Sequence, residues 1–445
     1  MYNILVIYWY NAPNMRMTTH DHLHCFERYL NHRVYYVNLQ AETLPWYATE
    51  IKYDIIIFHD LFFCGRWGGP PLFEKLRKKI EFLKESPAFK IAVPQDEFIS
   101  ADLLCDFINS FGVHMVFSVS PETEWQKIYR DVDRTTVRLH CVLTGYLDDE
   151  TLARTEAITA ATAQRSVEIG YRAGSRNWRQ GAWLGRHGLL KFQVAQVFER
   201  EAPRFGIQTD ISTRAEDVFT GDDWLNFLAR CKYMIGVEGG ASILDWDGST
   251  RIKTLAYVED HPEASLEEIE RECFPGMDGK LALYALSPRH LEACATRTCQ
   301  VLIEGDYNGV LQAGLHYIPV KRDFSNIDEV LEIVRRDEAR AAIVEAAYQD
   351  VVASGRYTYR GFAEFIIAEA EKICPELLRQ PQGATTRARL QHALFSASRR
   401  LNERPPLRPV VRLLDWSAAF LGRAGRLNAD AERRVINAKA QERSA

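Results

Sequence analysis

Short apolar runs punctuate the first third of the chain. Residues 4–10 (ILVIYWY), 34–37, 54–58 (DIIIF), 90–93 (KIAV) and 114–119 (HMVFSV) each predict a strand. Between them, residues from 18 or 19 to 30, 75–85 and 101–110 predict helices. Runs this apolar and this short, alternating with helices, predict a parallel, doubly wound sheet covered on both faces. A polar, alanine-rich helix over 148–164 then leads to a second α/β half. Its predicted strands are 167–171, 209–212, 231–237, 301–303 and 316–320; its helices are 191–205, 224–229, 265–272 and 288–295. A helix capped by Ser325-Asn326-Ile327-Asp328, with Val330, Ile333 and Val334 on one face, and helices over 338–353 and 359–373 close this half.

Nearly every predicted strand ends in polar residues. Open α/β sheets bind ligands outside the carboxyl ends of their strands. In the first half this singles out Asp60, after His59, and the Gln95-Asp96-Glu97 run as candidate catalytic groups. The plainer reading is that such residues cap the next helix. In the second half Glu238 precedes Gly239 and Gly240, and the strand at 301–303 runs into Glu304-Gly305-Asp306-Tyr307-Asn308-Gly309. Glu292 lies on the helix just before that strand, where a carboxylate can accept the two hydroxyls of a ribose or a sugar. Residues 171–191 hold Arg172, Arg176, Arg179, Arg186 and Lys191 among glycines. Glycines allow close backbone approach, and the cations suit a diphosphate.

Two patterns look like metal sites and are set aside. His20 and His24 share a helix face but lack an evident third ligand. Asp245 and Asp247 form an Asp-x-Asp pattern in an insertion that also carries a capping box, Ser265 with Glu268. No metal is expected.

The 445-residue length fits two domains and an extension. Net charge is −5, which argues against nucleic acid as a partner, but it is unevenly spread. From Leu377 onward 14 Arg or Lys face 5 Asp or Glu. This basic tail predicts a helix over 409–421, with Trp416 between an arginine-rich and an apolar side, and an anionic membrane surface as its candidate partner. The nine cysteines include no CxxC pair, and no run reaches the length of a membrane span. A cytoplasmic protein, peripheral to the membrane's inner face through its tail, is expected.

The run Leu291-Glu292-Ala293-Cys294-Ala295-Thr296-Arg297-Thr298 resembles the donor-binding segment of GT-B-fold glycosyltransferases, nearest to the group-1, spore-maturation-type enzymes. The resemblance covers residues 165–375 well and 1–150 more loosely. Two positions depart from the family pattern: Tyr284 stands where a second Glu often occurs, and Arg297 replaces the usual turn Gly. The resemblance implies two Rossmann-like domains facing across a cleft, 1–150 for the acceptor and 165–375 for the donor, followed by a basic helical tail over 376–445. It implies a metal-independent glycosyltransferase, with retention favoured, that needs no cofactor. It would move a sugar from a nucleotide-sugar to a glycan or lipid-linked acceptor, in surface polysaccharide or glycoconjugate synthesis.

On this reading Gly170 with Arg172, or Gly185 with Arg186, joins Lys191 around the diphosphate. Glu292 meets the ribose; Glu238 and the loop bearing Glu304, Tyr307, Asn308 and Gly309 meet the sugar. Asp60, Asp96, Glu97 and Glu238 are the catalytic candidates, and Glu238 is expected to open onto the same cleft as Glu292. The alternatives are a sugar-nucleotide epimerase of the same fold and a non-catalytic nucleotide- or glycan-binding protein.

Overall fold

The computed structural model describes residues 1–10, 15–174, 177–375, 381–382 and 385–402. Arg176 and the predicted tail helix over 409–421 lie outside the described residues. The first half is a six-stranded sheet, all parallel, in the order β2-β1-β3-β4-β5-β6. Its strands are β1 (Asn3–Tyr8), β2 (Arg33–Asn38), β3 (Ile55–Phe58), β4 (Phe89–Ala92), β5 (Met115–Ser118) and β6 (Arg138–Cys141). The second half holds β7 (Val167–Arg172), β8 (Thr209–Ser212), β9 (Cys231–Gly236), β10 (Gly239–Ala241), β11 (Leu283–Ala285), β12 (Cys299–Ile303) and β13 (Ile318–Val320). Five of these form a parallel sheet, β13-β12-β9-β7-β8. The molecule is thus α/β, with two Rossmann-like halves.

The central strands follow the apolar runs, and β3 and β4 are buried along their whole length. Sequence reasoning missed three strands. Edge strand β6 is polar and partly exposed. β10 and β11 form a separate antiparallel pair, three residues each. Gly240, at φ 109°, makes that pairing possible, since a side chain there would overlap the Leu283 carbonyl. The expected helix over 191–205 instead starts at Gly185 and runs to Glu201. The stretch read as a glycine-rich loop is therefore largely a 3-10 turn (Trp178–Leu184) and a first helical turn that buries His187, Leu189 and Leu190. The insertion after Glu238 carries an unexpected helix, Ser249–Asp260, before the capping-box helix Leu266–Cys273.

The halves share one core. Trp183, Ala241, Leu281 and Leu283 of the second half pack in the same buried cluster as Phe98, Ile99 and Phe107 of the first. Trp183 meets the rings of Trp67 and Phe98 at 5.6 and 6.0 Å. The helix Tyr359–Ile373 returns to cover the first sheet, burying Phe362, Ile366 and Ile367 among β1, β3 and β4. The described start of the tail, the helix Thr386–Asn402, also lies on the first half, with Phe395 against Tyr35 and Tyr47 at 5.0 and 4.9 Å. No described helix is long and apolar enough to cross a membrane.

A shared core couples the unfolding of the halves. Leu283→Ala should cost about 2–5 kcal/mol and lower a single calorimetric transition. A variant that shifts one of two separate transitions would show that the halves unfold independently.

Candidate functional site

The cleft wall of the second half is the helix Pro288–Ala295, started by Pro288 at its first turn. It turns Glu292 and Arg289, three residues apart and so on one face, into a cavity of about 220 Å³. Arg172, Gly174, Phe219 and Trp224 line its other walls, and Met17 to Thr19 of the first half close it. Glu292 is buried, and its Oε2 accepts a hydrogen bond from the Trp224 indole at 2.7 Å. Burial pushes its carboxyl above the usual range, while Trp224 and Arg289 pull it back. Its other oxygen makes no hydrogen bond among the described residues and can take a hydroxyl of a ligand.

Arg172 reaches the cavity wall but is largely committed elsewhere. Its guanidinium donates to the Asp210 carboxylate at 2.6 Å and to the Asp210 and Tyr171 carbonyls at 2.7 and 2.8 Å. It also lies over Phe227 at 4.4 Å. Arg186 turns away from the cleft altogether. It is exposed and pairs with Glu270, Asp278 and Glu267 of the insertion region. The cation beside Glu292 is instead Arg289, which donates to the Arg172 carbonyl at 3.1 Å. Sequence reasoning did not single out Arg289, although its spacing from Glu292 was visible.

The Lys191 ammonium makes no hydrogen bond or ion pair among the described residues, yet the residue is half-buried, its carbonyl accepting from the Tyr171 hydroxyl at 3.2 Å. Burial and Arg289 push its ammonium down to about 8, against the pull of Asp96 across the cleft. Asp96 is half-buried at the end of β4. Burial raises its carboxyl, while Arg66 and Lys191 oppose the rise. Glu97, its neighbour, faces inward with no exposure. It accepts from the Ser118 and Tyr129 hydroxyls at 2.5 and 2.8 Å. Burial pushes its carboxyl up to about 7. Glu97 is therefore a buried structural group, out of reach of a substrate, which corrects its place among the catalytic candidates.

Asp60 sits 2.5 Å from Nδ1 of His59, whose Nε2 is 2.8 Å from Nδ1 of buried His22. Burial raises the Asp60 carboxyl, but the two rings bring it net below its ordinary value. These three side chains, rather than His20 with His24, are the described residues whose ligand-type atoms converge, within 4.8 Å. The short His22–His59 distance is that of a hydrogen bond.

Glu238 is not among the residues lining the cavity at Glu292. The buried Glu238 carboxylate accepts from the Tyr307 backbone N–H at 2.7 Å and lies 3.9 Å from Arg322. A side chain at Gly305 would collide with it. Glu238 thus shapes the turn it was expected to join. Tyr307 is wholly buried and donates to the Ile303 carbonyl at 2.7 Å. Asn308, at φ 54°, accepts from the Leu286 N–H at 2.6 Å. Glu304 and Gly309 are exposed. Tyr284 stacks on His187 at 3.7 Å, next to Arg322 at 5.2 Å. Burial and Arg322 push the His187 ring down to about 3. Asp245 and Asp247 cap the helix Ser249–Asp260, through Thr250, Arg251 and Ser249 N–H groups at 2.9–3.0 Å.

No family model matches the chain, and no curated protein matches it. Three solved structures are similar to it in architecture. HepE of Anabaena, in complex with UDP and glucose, shares 10% identity at a TM-score of 0.45, over 84% of this chain and 100% of that one. A glycosyltransferase from Rickettsia africae shares 12% at 0.46, over 84% and 99%. T4 phage BGT, in complex with UDP-glucose, shares 9% at 0.46, over 83% and 98%. Likeness at this level carries nothing about substrates.

The buried Glu97 has a consequence for stability. Its folded-state value of about 7 lies above the ordinary 4.5, so the folded state holds this proton more tightly than the unfolded state. Its contribution is fully present below pH 4.5 and is lost as pH rises towards 7. Glu97→Gln should remove this loss, gaining on wild type by up to about 3 kcal/mol between pH 4.5 and 7.5. Parallel stability curves for the two proteins would contradict the assignment.

Proposed function

We propose that this protein is a glycosyltransferase that moves a sugar from a nucleotide-sugar donor to a glycan or lipid-linked acceptor. The observation that carries the reading is one arrangement across the cleft. A buried carboxylate with one uncommitted oxygen, Glu292, lies beside Arg289; Arg289 in turn neighbours Lys191, which faces Asp96 of the opposite half. A ribose diol fits Glu292. A diphosphate fits Arg289 and Lys191, whose charges would stabilise the leaving group as the glycosidic bond breaks. Charge neutralisation by these side chains needs no metal. Asp96 is the group we assign to the acceptor hydroxyl. Retention of stereochemistry, which requires no strong base there, is carried over from the family resemblance. The arginine excess of the tail fits an anionic lipid surface. The tail's described helix packs on the acceptor half, which suits a lipid-linked acceptor and a place in surface glycoconjugate synthesis.

A panel of UDP-, GDP-, ADP- and dTDP-sugars tested by thermal shift and calorimetry should contain a donor that stabilises the wild type. Glu292→Ala and Lys191→Met should each weaken it roughly tenfold or more. Wild-type affinity should fall as pH rises through about 8, where free Lys191 loses its charge, and Lys191→Met should flatten that fall. A panel with no binder removes the donor-site assignment.

A further inference from the structure

The loop carrying Asp96 is built from both halves of the molecule. Residues 95–100 leave β4 with two non-glycine residues at positive φ, Asp96 at 52° and Ser100 at 45°. Such backbone costs on the order of 1–3 kcal/mol per residue and persists only where its surroundings fix it. On one side the wholly buried Arg66 donates to the Ile99 and Gln95 carbonyls at 2.6 and 2.9 Å. On the other side stands the insertion of the second half. Asp245 pairs with Ile99 as a parallel bridge. Its N–H donates to the Phe98 carbonyl and its carbonyl accepts from the Ser100 N–H, both at 2.8 Å. The Trp246 carbonyl accepts from the Asp102 N–H at 3.1 Å.

We propose that residues 245–251 of the donor half are a positioning element for Asp96, seating the acceptor-side loop through backbone pairing across the domain boundary. The catalytic part rests on the glycosyltransferase reading; the structural part does not. Asp245 is the hinge pin. Its side chain is 0% exposed. One carboxylate oxygen accepts from the Thr250 N–H at 3.0 Å and the other from the Arg251 N–H at 2.9 Å. The side chain therefore fixes the helix behind the segment while the main chain fixes the loop in front of it. Arg251 adds a second strut, donating to the Trp67 carbonyl at 2.9 Å. Trp67 in turn lies near Asp96 and favours its ionised carboxylate. A third strut is Arg130, stacked over Trp246 at 3.5 Å. The Asp-x-Asp pattern is thereby explained without a metal, because both Asp245 oxygens are committed to backbone N–H groups.

The consequence for the reaction is that Asp96 and Lys191 hold their separation without closure at this edge of the cleft. Small displacements of a reacting group cost large factors in rate, so loosening the segment should act on turnover and leave donor binding alone. The side-chain partners of Glu292, Arg289 and Lys191 all lie outside residues 245–251.

The test compares the full-length wild type with Asp245→Ala, Asp245→Asn and Arg251→Met. Amide hydrogen exchange at Ser100 and Asp102 should accelerate roughly 30-fold or more in Asp245→Ala, relative to Ile235 and Val301 of the second sheet. In hydrolysis of UDP-glucose, UDP-N-acetylglucosamine and GDP-mannose, kcat should fall roughly tenfold or more with KM within about twofold. Asp245→Asn, which keeps one acceptor, should recover part of both effects. If Asp245→Ala fails to fold, Arg251→Met carries the test, with the same signs and smaller size. Unchanged exchange at Ser100, or a loss of kcat/KM explained by KM, overturns the proposal. A wild type that hydrolyses none of the three donors counts against the glycosyltransferase reading and leaves exchange to decide the seat.

Discussion

Arg66 sets the terms for the centre of this molecule. Its guanidinium is wholly buried, and a charge removed from water is tolerated only when its donors are matched and a counter-charge lies near. Carbonyls that belong to no sheet ladder supply the match: Phe63, Gln95 and Ile99, within 3.1 Å. Asp96 supplies a nearby counter-charge, joined by Glu97 once that carboxyl ionises. Gathering those carbonyls around one cation forces the chain after β4 into a tight, left-handed path. That path sends two adjacent carboxylates in opposite directions. Glu97 goes inward to the Ser118 and Tyr129 hydroxyls, and Asp96 goes outward to the cleft.

The same junction explains why the two halves form one body. The 3-10 turn Trp178–Leu184 and the segment after Glu238 wedge Trp183, Ala241 and Leu283 into the core of the first half, and Asp245 lends its backbone to the strained loop. A cleft between two Rossmann-like halves is then pinned along one edge and lined by opposed charges within. Arg289 and Lys191 are the cations there without a carboxylate partner of their own among the described residues. Arg172 and Arg186, rich in charge on paper, are neutralised by Asp210 and by the insertion's acids.

The sheets were legible because buried parallel strands are predominantly apolar, a local property that β1, β3, β4, β9 and β12 display despite single polar residues in four of them. Edge strand β6 has no such need and was invisible. The β10–β11 pair was invisible for another reason: its partners are over forty residues apart, and two glycines mimic a loop. Glu292 was legible from the family-like run around it, and Lys191 as a cation near a helix start. The fates of Arg172, Arg186, Glu97 and Glu238 were not, since each is decided by a distant partner: Asp210, Glu270, Ser118 and Tyr307. Arg289 was legible in principle, one helical turn ahead of Glu292, but has no glycine beside it to mark a ligand loop.

The most direct measurement is a crystal structure of the full chain with a bound nucleoside diphosphate. The account predicts the ribose hydroxyls on the free oxygen of Glu292, with Trp224 still donating to the other, and the diphosphate between Arg289 and Lys191. A nucleotide seated elsewhere, or a diphosphate on Arg186 with Lys191 untouched, would contradict it.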